Sequence, residues 1–259
     1  MHVHPALDQL FSCAGRTALV AGASSGIGLS MAEAIGRAGA RVVLVARTAG
    51  LLQRNAEQLQ KDGVEAGWIA ADLSDRAQVR DLAERAVAEF GPVDILVNSA
   101  GLNLRPPMNE LTADDYDRTM AVNVDAPFLL GQALGPAMAA RGWGRIINVA
   151  SQQSVSAFGN SGVYGVSKAA VTGLTRSQSE AWAPHGVCCN SLVPGFVRTP
   201  LTEPTFAIPG RAEALAARTH AGRNGERPDF AGVAVWLASD ASAFVTGQAI
   251  FVDGGLSVA

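Results

Sequence analysis

Seven short runs along the chain are apolar on consecutive positions rather than alternate ones: 17–21, 41–46, 66–70, 93–97, 145–150, 187–193 and 250–253. Strands buried on both faces read this way, whereas a half-exposed strand alternates. Between the runs lie longer stretches with helical spacing. One follows Gly28 to Ala38 and is closed by Gly39, and one spans Leu51 to Lys61 before Asp62-Gly63. A charged helix, capped by Ser74 or Asp75, reaches Phe90 and is broken by Gly91-Pro92. Thr112-Ala-Asp-Asp115 is spaced like a capping box and opens a helical region to Ala140. The helix holding Tyr164 stops near Pro184-His-Gly186, and Pro228 suits the first turn of a helix to Ser239. This alternation predicts an α/β fold, a doubly wound seven-stranded parallel sheet with helices on both faces. Residues 15–259 read as one domain behind a loose leader, 1–14. The longest irregular stretch, Pro194 to Gly225, holds a short helix from Arg211 to Arg218, and residues 195–225 are the expected substrate loop.

Composition narrows this little but excludes several classes. The 259 residues are 48% hydrophobic and 17% charged, with a formal net charge of −3 and no block of Lys or Arg. Such a chain forms a globular core, and nothing in it suggests a nucleic-acid or membrane surface. Cys13, Cys188 and Cys189 are an odd count that does not describe a disulfide framework, and they point to a reduced compartment. The start has no basic segment followed by an apolar one, and no apolar run reaches a membrane-span length, so a cytoplasmic protein is expected. His2 and His4 are spaced like a chelating pair but sit in a terminus expected to fray, and no metal site is expected.

Candidate chemistry begins at the turn after the first strand. Gly22-Ala-Ser-Ser-Gly-Ile-Gly28 joins a buried strand to a helix, allowing a tight turn and close backbone approach to a pyrophosphate at a helix N-terminus. Ser24 and Ser25 add hydroxyl donors. The spacing is Gly-x-x-x-Gly-x-Gly rather than Gly-x-Gly-x-x-Gly, and three glycines can simply make a sharp turn, but their place after the first strand favours nucleotide binding. At the end of the second strand, Ala46 is followed by Arg47, so no carboxylate is available for a ribose 2′-hydroxyl, while a guanidinium can clamp a 2′-phosphate. That favours NADP(H) over NAD(H). Asp72, at the third strand's end, is placed to reach the adenine edge or to cap a helix.

The second constellation is Ser151, Tyr164 and Lys168. Tyr164 and Lys168 stand one helical turn apart on one face. A phenol ordinarily titrates near pH 10, and an adjacent ammonium favours the phenolate and brings it toward neutral pH. A serine hydroxyl can hold and polarise a carbonyl oxygen.

Together these motifs resemble the short-chain dehydrogenase/reductase family, in its single-domain branch, from Phe11 to Ala259. Ala21 stands where the family's glycine motif usually opens with Thr, and Asn98-Ser99-Ala100-Gly101 stands for its Asn-Asn-Ala-Gly. The resemblance implies catalysis by Asn123, Ser151, Tyr164 and Lys168. Tyr164 would exchange a proton with the substrate oxygen, Lys168 would bond the nicotinamide ribose and lower the Tyr164 pKa, and Asn123 would hold a relay water. Cofactor contacts are implied for Gly22, Ser24, Ser25, Gly26, Ile27, Gly28, Arg47, Asp72, Leu73, Asn98, Ala100, Gly101, Tyr164, Lys168, Pro194, Gly195, Val197 and Thr199. Val252-Asp253-Gly254-Gly255 matches the family's C-terminal signature. Family members are commonly homotetramers, and the apolar girth of the Tyr164 helix fits such pairing.

For the substrate, Arg105, Gln152 and Gln153 are the leading candidates. Asn160, His220 and Arg223 are further polar ones, with Phe158, Phe196 and Phe206 as apolar walls. The stretch from Ser151 to Lys168 resembles gluconate 5-dehydrogenase-like members, which implies a small-molecule polyol, sugar or sugar-acid ketone. A 3-oxoacyl-[acyl-carrier-protein] reductase is the alternative, and a non-catalytic cofactor sensor or scaffold is the alternative from another class.

Overall fold

The protein is described here by a computed structural model covering residues 4–259. Chain order runs α1 (Pro5–Phe11), β1 (Thr17–Ala21), α2 (Gly26–Arg37), β2 (Arg41–Ala46), α3 (Ala49–Lys61), β3 (Ala66–Ala70), α4 (Arg76–Phe90) and β4 (Ile95–Asn98). It continues through α5 (Ala113–Met120), α6 (Ala126–Ala140), β5 (Gly144–Val149), α7 (Gly162–Trp182) and β6 (Val187–Pro194). The last elements are α8 (Glu203–Phe206), α9 (Arg211–Ala216), α10 (Ala231–Ala238) and β7 (Ala249–Val252). The strands form one sheet in the order β3-β2-β1-β4-β5-β6-β7, with every neighbouring pair parallel.

Consecutive apolar residues in the strands point alternately to two separate cores. One face meets α2, α3 and α10 through Met31, Ile35, Leu52, Leu59 and Leu237, with Phe230 just before α10. The other meets α4 and α6 through Val79, Leu82, Leu130, Leu134 and Met138. Each fully buried Leu or Ile contributes about 1.5–3 kcal/mol relative to exposure, so stability resides in these two layers rather than in the rim. The strand order reverses at β1 and β4, which opens a crevice at their C-terminal ends. Every loop with candidate chemistry leaves the sheet on that side.

Two expectations need correction. The leader is not loose throughout: Pro5–Phe11 is helical, and His4 Nδ1 accepts the Ala6 N–H at 3.3 Å as its cap. Cys13 is buried and its N–H donates to Ala38 O, which pins the chain to the end of α2. His2 lies outside the described residues. The helical region to Ala140 is also interrupted, because Ala121–Asp125 is a π turn between α5 and α6. Such wide turns shift the register of side chains and often sit at functional sites. Here the turn holds Asn123.

Candidate active site

The glycine turn is shaped first by its neighbours. Gly22 has φ +90°, and a Cβ there would lie 2.4 Å from Ala100 N, so the turn can press against the end of β4 only as glycine. Gly26, at φ +61°, faces the loop after β6, where an added Cβ would come 3.3 Å from Thr199 Cγ2 and fill the space between. Ser25 is the N-cap of α2, its side chain makes no capping bond, and the first turn carries no acidic residue. These are the conditions for an anion at a helix N-terminus. Asn55 Nδ2 donates to Ser24 O at 3.0 Å and holds the turn from α3.

From this turn a cleft of about 460 Å³ runs to Tyr164. Gly22, Ser24, Ser25, Gly26, Ile27, Gly28, Arg47, Asp72, Leu73, Ala100, Gly101, Pro194, Gly195, Val197 and Thr199 all line it. The residues present fit a dinucleotide: a glycine cradle and helix N-terminus for the diphosphate, Arg47 and Asp72 at one end, Tyr164 and Lys168 at the other. Arg47 is exposed. Asp72 Oδ1 accepts from both the N–H and the hydroxyl of Ser74, bonds that with the Arg47 charge hold its carboxyl below the usual range. Asn98 departs from expectation. Its Nδ2 donates to Asn148 Oδ1 at 2.8 Å beneath the cleft floor, and it does not line the cleft. Asn148 passes the contact on to Thr175 and Gln178, so Asn98 ties the sheet to α7.

At the reaction end, β5 delivers Ser151 and the first two turns of α7 deliver Tyr164 and Lys168. Ser151 Oγ accepts the Gln153 N–H at 3.2 Å. Tyr164 is 7% and Lys168 3% exposed. Lys168 Nζ donates to Val149 O at 2.7 Å. A side chain at Gly101 would reach 3.8 Å from Lys168 Nζ and 3.9 Å from Asn123 Oδ1, so these groups converge on one backbone position. Asn123 accepts the Leu102 N–H and donates to Leu102 O and Ser167 Oγ.

Burial and the expected lysine effect act on the phenol in opposite directions, and burial is the largest influence. Burial raises the Tyr164 pKa, and the groups that act the other way are the Ser151 hydroxyl and the Arg105 charge. Lys168 Nζ lies 5.7 Å from the ring centroid, and its bond to Val149 O leaves two of its three N–H groups for other partners. Burial also lowers its own pKa from 10.5 to about 8, so it stays mostly protonated at neutral pH.

Arg105 reaches the cleft from the loop after β4. Its Nη1 donates to Thr205 Oγ1 at 2.7 Å, its guanidinium lies 5.7 Å from the Phe158 ring centroid, and burial lowers its pKa. Gln152 and Gln153 also line the cleft, but their amide oxygens accept from Ser156 and Ser161 and so are partly engaged. Asn160, His220 and Arg223 do not line it. Arg223 is instead paired with Asp229 at 2.7 and 2.8 Å. Sequence reasoning missed Asn55, Arg118 and Thr202. Thr202 Oγ1 accepts the Thr199 N–H and donates to Val197 O, which shapes the loop across from Gly26.

A buried tyrosine and lysine at one end of a cleft that begins at a glycine turn fit the class that the comparisons show, an oxidoreductase that interconverts alcohols and ketones with a nicotinamide cofactor. Residues 22–257 match a family model described as enoyl-(acyl carrier protein) reductase, and the chain belongs to the short-chain dehydrogenase/reductase family. It is 40% identical over 255 residues to gluconate 5-dehydrogenase of Gluconobacter oxydans, covering 98% of each chain. A gluconate 5-dehydrogenase from Burkholderia cenocepacia, solved with NADP and tartrate, superposes with a TM-score of 0.94 at 38% identity, covering 98% of this chain and 99% of that one. A 3-oxoacyl (acyl-carrier-protein) reductase from Agrobacterium tumefaciens, solved with NADP, gives 0.92 at 35% identity, covering 96% and 97%.

Proposed function

We propose that the protein uses NADP(H) to interconvert a secondary alcohol and a ketone on a polyhydroxylated small molecule, a sugar acid being the preferred class. The observation that carries the substrate class is Arg105. Its guanidinium is partly desolvated beside the reaction end, close enough for its charge to act on Tyr164, and no carboxylate pairs with it among the described residues. A carboxylate is the natural partner for such a group. The relatives named for gluconate and the neighbour holding tartrate support the same class. Arg47, exposed at the end of β2 with no acidic residue beside it in sequence, supports NADP(H) over NAD(H).

A nicotinamide bound in the cleft supplies or accepts the hydride. Tyr164 gives its proton to the substrate oxygen in reduction, and its raised pKa keeps that proton available at neutral pH. Ser151 donates to the same oxygen and stabilises the negative charge that develops there. Lys168 holds the cofactor ribose, and Asn123, fixed by Leu102 and Ser167, positions a water that connects Lys168 to solvent. A homotetramer is supported by apolar residues left exposed on adjacent helices, Tyr116, Phe128 and Val166, and near the C-terminal edge, Phe244, Phe251 and Val258. Three unpaired, buried cysteines suit a reducing, cytoplasmic compartment.

The test is a screen of absorbance at 340 nm with NADPH and NADH against keto-sugar acids, neutral ketoses, acetoacetyl thioesters and aryl ketones. Keto-sugar acids should be preferred, and Arg105→Ala should raise their KM about tenfold while leaving neutral ketoses little changed. A preference for acetoacetyl thioesters would favour the acyl-carrier reading that the Agrobacterium neighbour suggests. No oxidation with any ketone would favour a non-catalytic sensor.

A further inference from the structure

Arg118, on α5, lines the cleft together with Val122 one turn later. Asp125, the last residue of the π turn, accepts from Arg76 Nε and Nη2 at 3.1 and 2.7 Å. Arg76 opens α4 immediately after the β3–α4 turn, whose residues Asp72, Leu73 and Ser74 line the cleft as well. The Asp125–Arg76 pair therefore docks this stretch against the turn where the adenosine half of a dinucleotide would lie. Arg47, which follows β2, lines the cleft too, so two arginines reach it from different elements. Among the described residues Arg118 has one ion-pair partner, Asp114, 3.6 Å away on the same helix, with both side chains mostly exposed. So loose a pair leaves the guanidinium free to move onto a ligand.

We propose that Arg118 recognises the adenine ring, laying its planar guanidinium against the base while Val122 supports its stem. Guanidinium groups stack on aromatic faces and donate to ring nitrogens. The two arginines thus divide the work: Arg47 reads the 2′-phosphate, and Arg118 binds the base of either dinucleotide. This rests on the reading that a nicotinamide dinucleotide occupies the cleft.

The experiment is calorimetric titration of the full chain with 5′-AMP, NMN, NADH and NADPH. Arg118→Ala and Arg118→Met, the second keeping most of the stem, should weaken AMP, NADH and NADPH by one common factor of about three to five, with NMN unchanged. Asp114→Asn, which releases the guanidinium, should leave AMP binding equal or tighter. Unchanged AMP affinity in both Arg118 variants would overturn the proposal. So would a loss confined to NADPH, which would make Arg118 a phosphate reader. Wild-type protein that binds neither AMP nor a dinucleotide would overturn the reading of the cleft itself, and this inference with it.

Discussion

At the reaction end of the cleft, Tyr164 and Lys168 are almost wholly buried and Asn123 has its amide bonded to Leu102 and Ser167. At the other end Arg47 and Arg118 are exposed, and among the described residues their one ion pair is the loose contact of Arg118 with Asp114. The reaction end also rests on a buried polar seam, Asn98–Asn148–Gln178, that binds α7 to the sheet. Chemistry that needs reacting groups held in place sits on packed elements, where reorganisation during reaction is small. Recognition of charge can be left to long, hydrated side chains, because a phosphate or a base draws them into place. Substitutions at the first end should therefore act on turnover, and those at the second on affinity.

Ser151→Ala should lower kcat by about a hundredfold with cofactor affinity kept, since it removes a donor to the developing oxyanion; an equal fall in affinity would blur the division. Arg47→Ala should weaken NADPH about tenfold and leave NADH and kcat nearly unchanged, as read by fluorescence titration. Equal loss for both cofactors would mean that Arg47 does not read the phosphate. The smallest effect is on stability. Folded Lys168 keeps its proton only to about pH 8, against 10.5 for an ordinary lysine. Between those values the unfolded chain binds more protons, so this residue's contribution to stability rises with pH across that window. Relative to Lys168→Met, the wild-type Tm should gain roughly 5 °C between pH 8 and pH 10. A gap that stays constant or moves the other way would show that the ammonium is not desolvated as described.

Much of this arrangement is legible in the chain. Continuous apolar runs mark strands buried on both sides, and all seven pair as parallel neighbours. The glycine turn and the Tyr164–Lys168 spacing place the two ends of the cleft because both motifs are local. What escaped depends on distance or packing. Arg105 reads as a substrate candidate, but not its anchor, Thr205 of α8 a hundred residues away, and Arg223 is paired with Asp229 outside the cleft. Asn98 reads as a cofactor residue within its motif, but its side chain turns under the sheet toward Asn148. Arg118 was missed because its helical pattern does not show that this stretch docks, through Asp125 and Arg76, against the β3–α4 turn. Spacing puts Tyr164 and Lys168 on one face, but only packing shows how far burial shifts both groups.

The most direct test is a single turnover of Tyr164→Phe, mixed as its NADPH complex with an excess of the best ketone and followed at 340 nm. Removing the phenolic proton should slow NADPH oxidation at least about a hundredfold while the dissociation constant for NADPH stays near that of the wild type. Oxidation at the wild-type rate would contradict the assignment of Tyr164 as the proton donor.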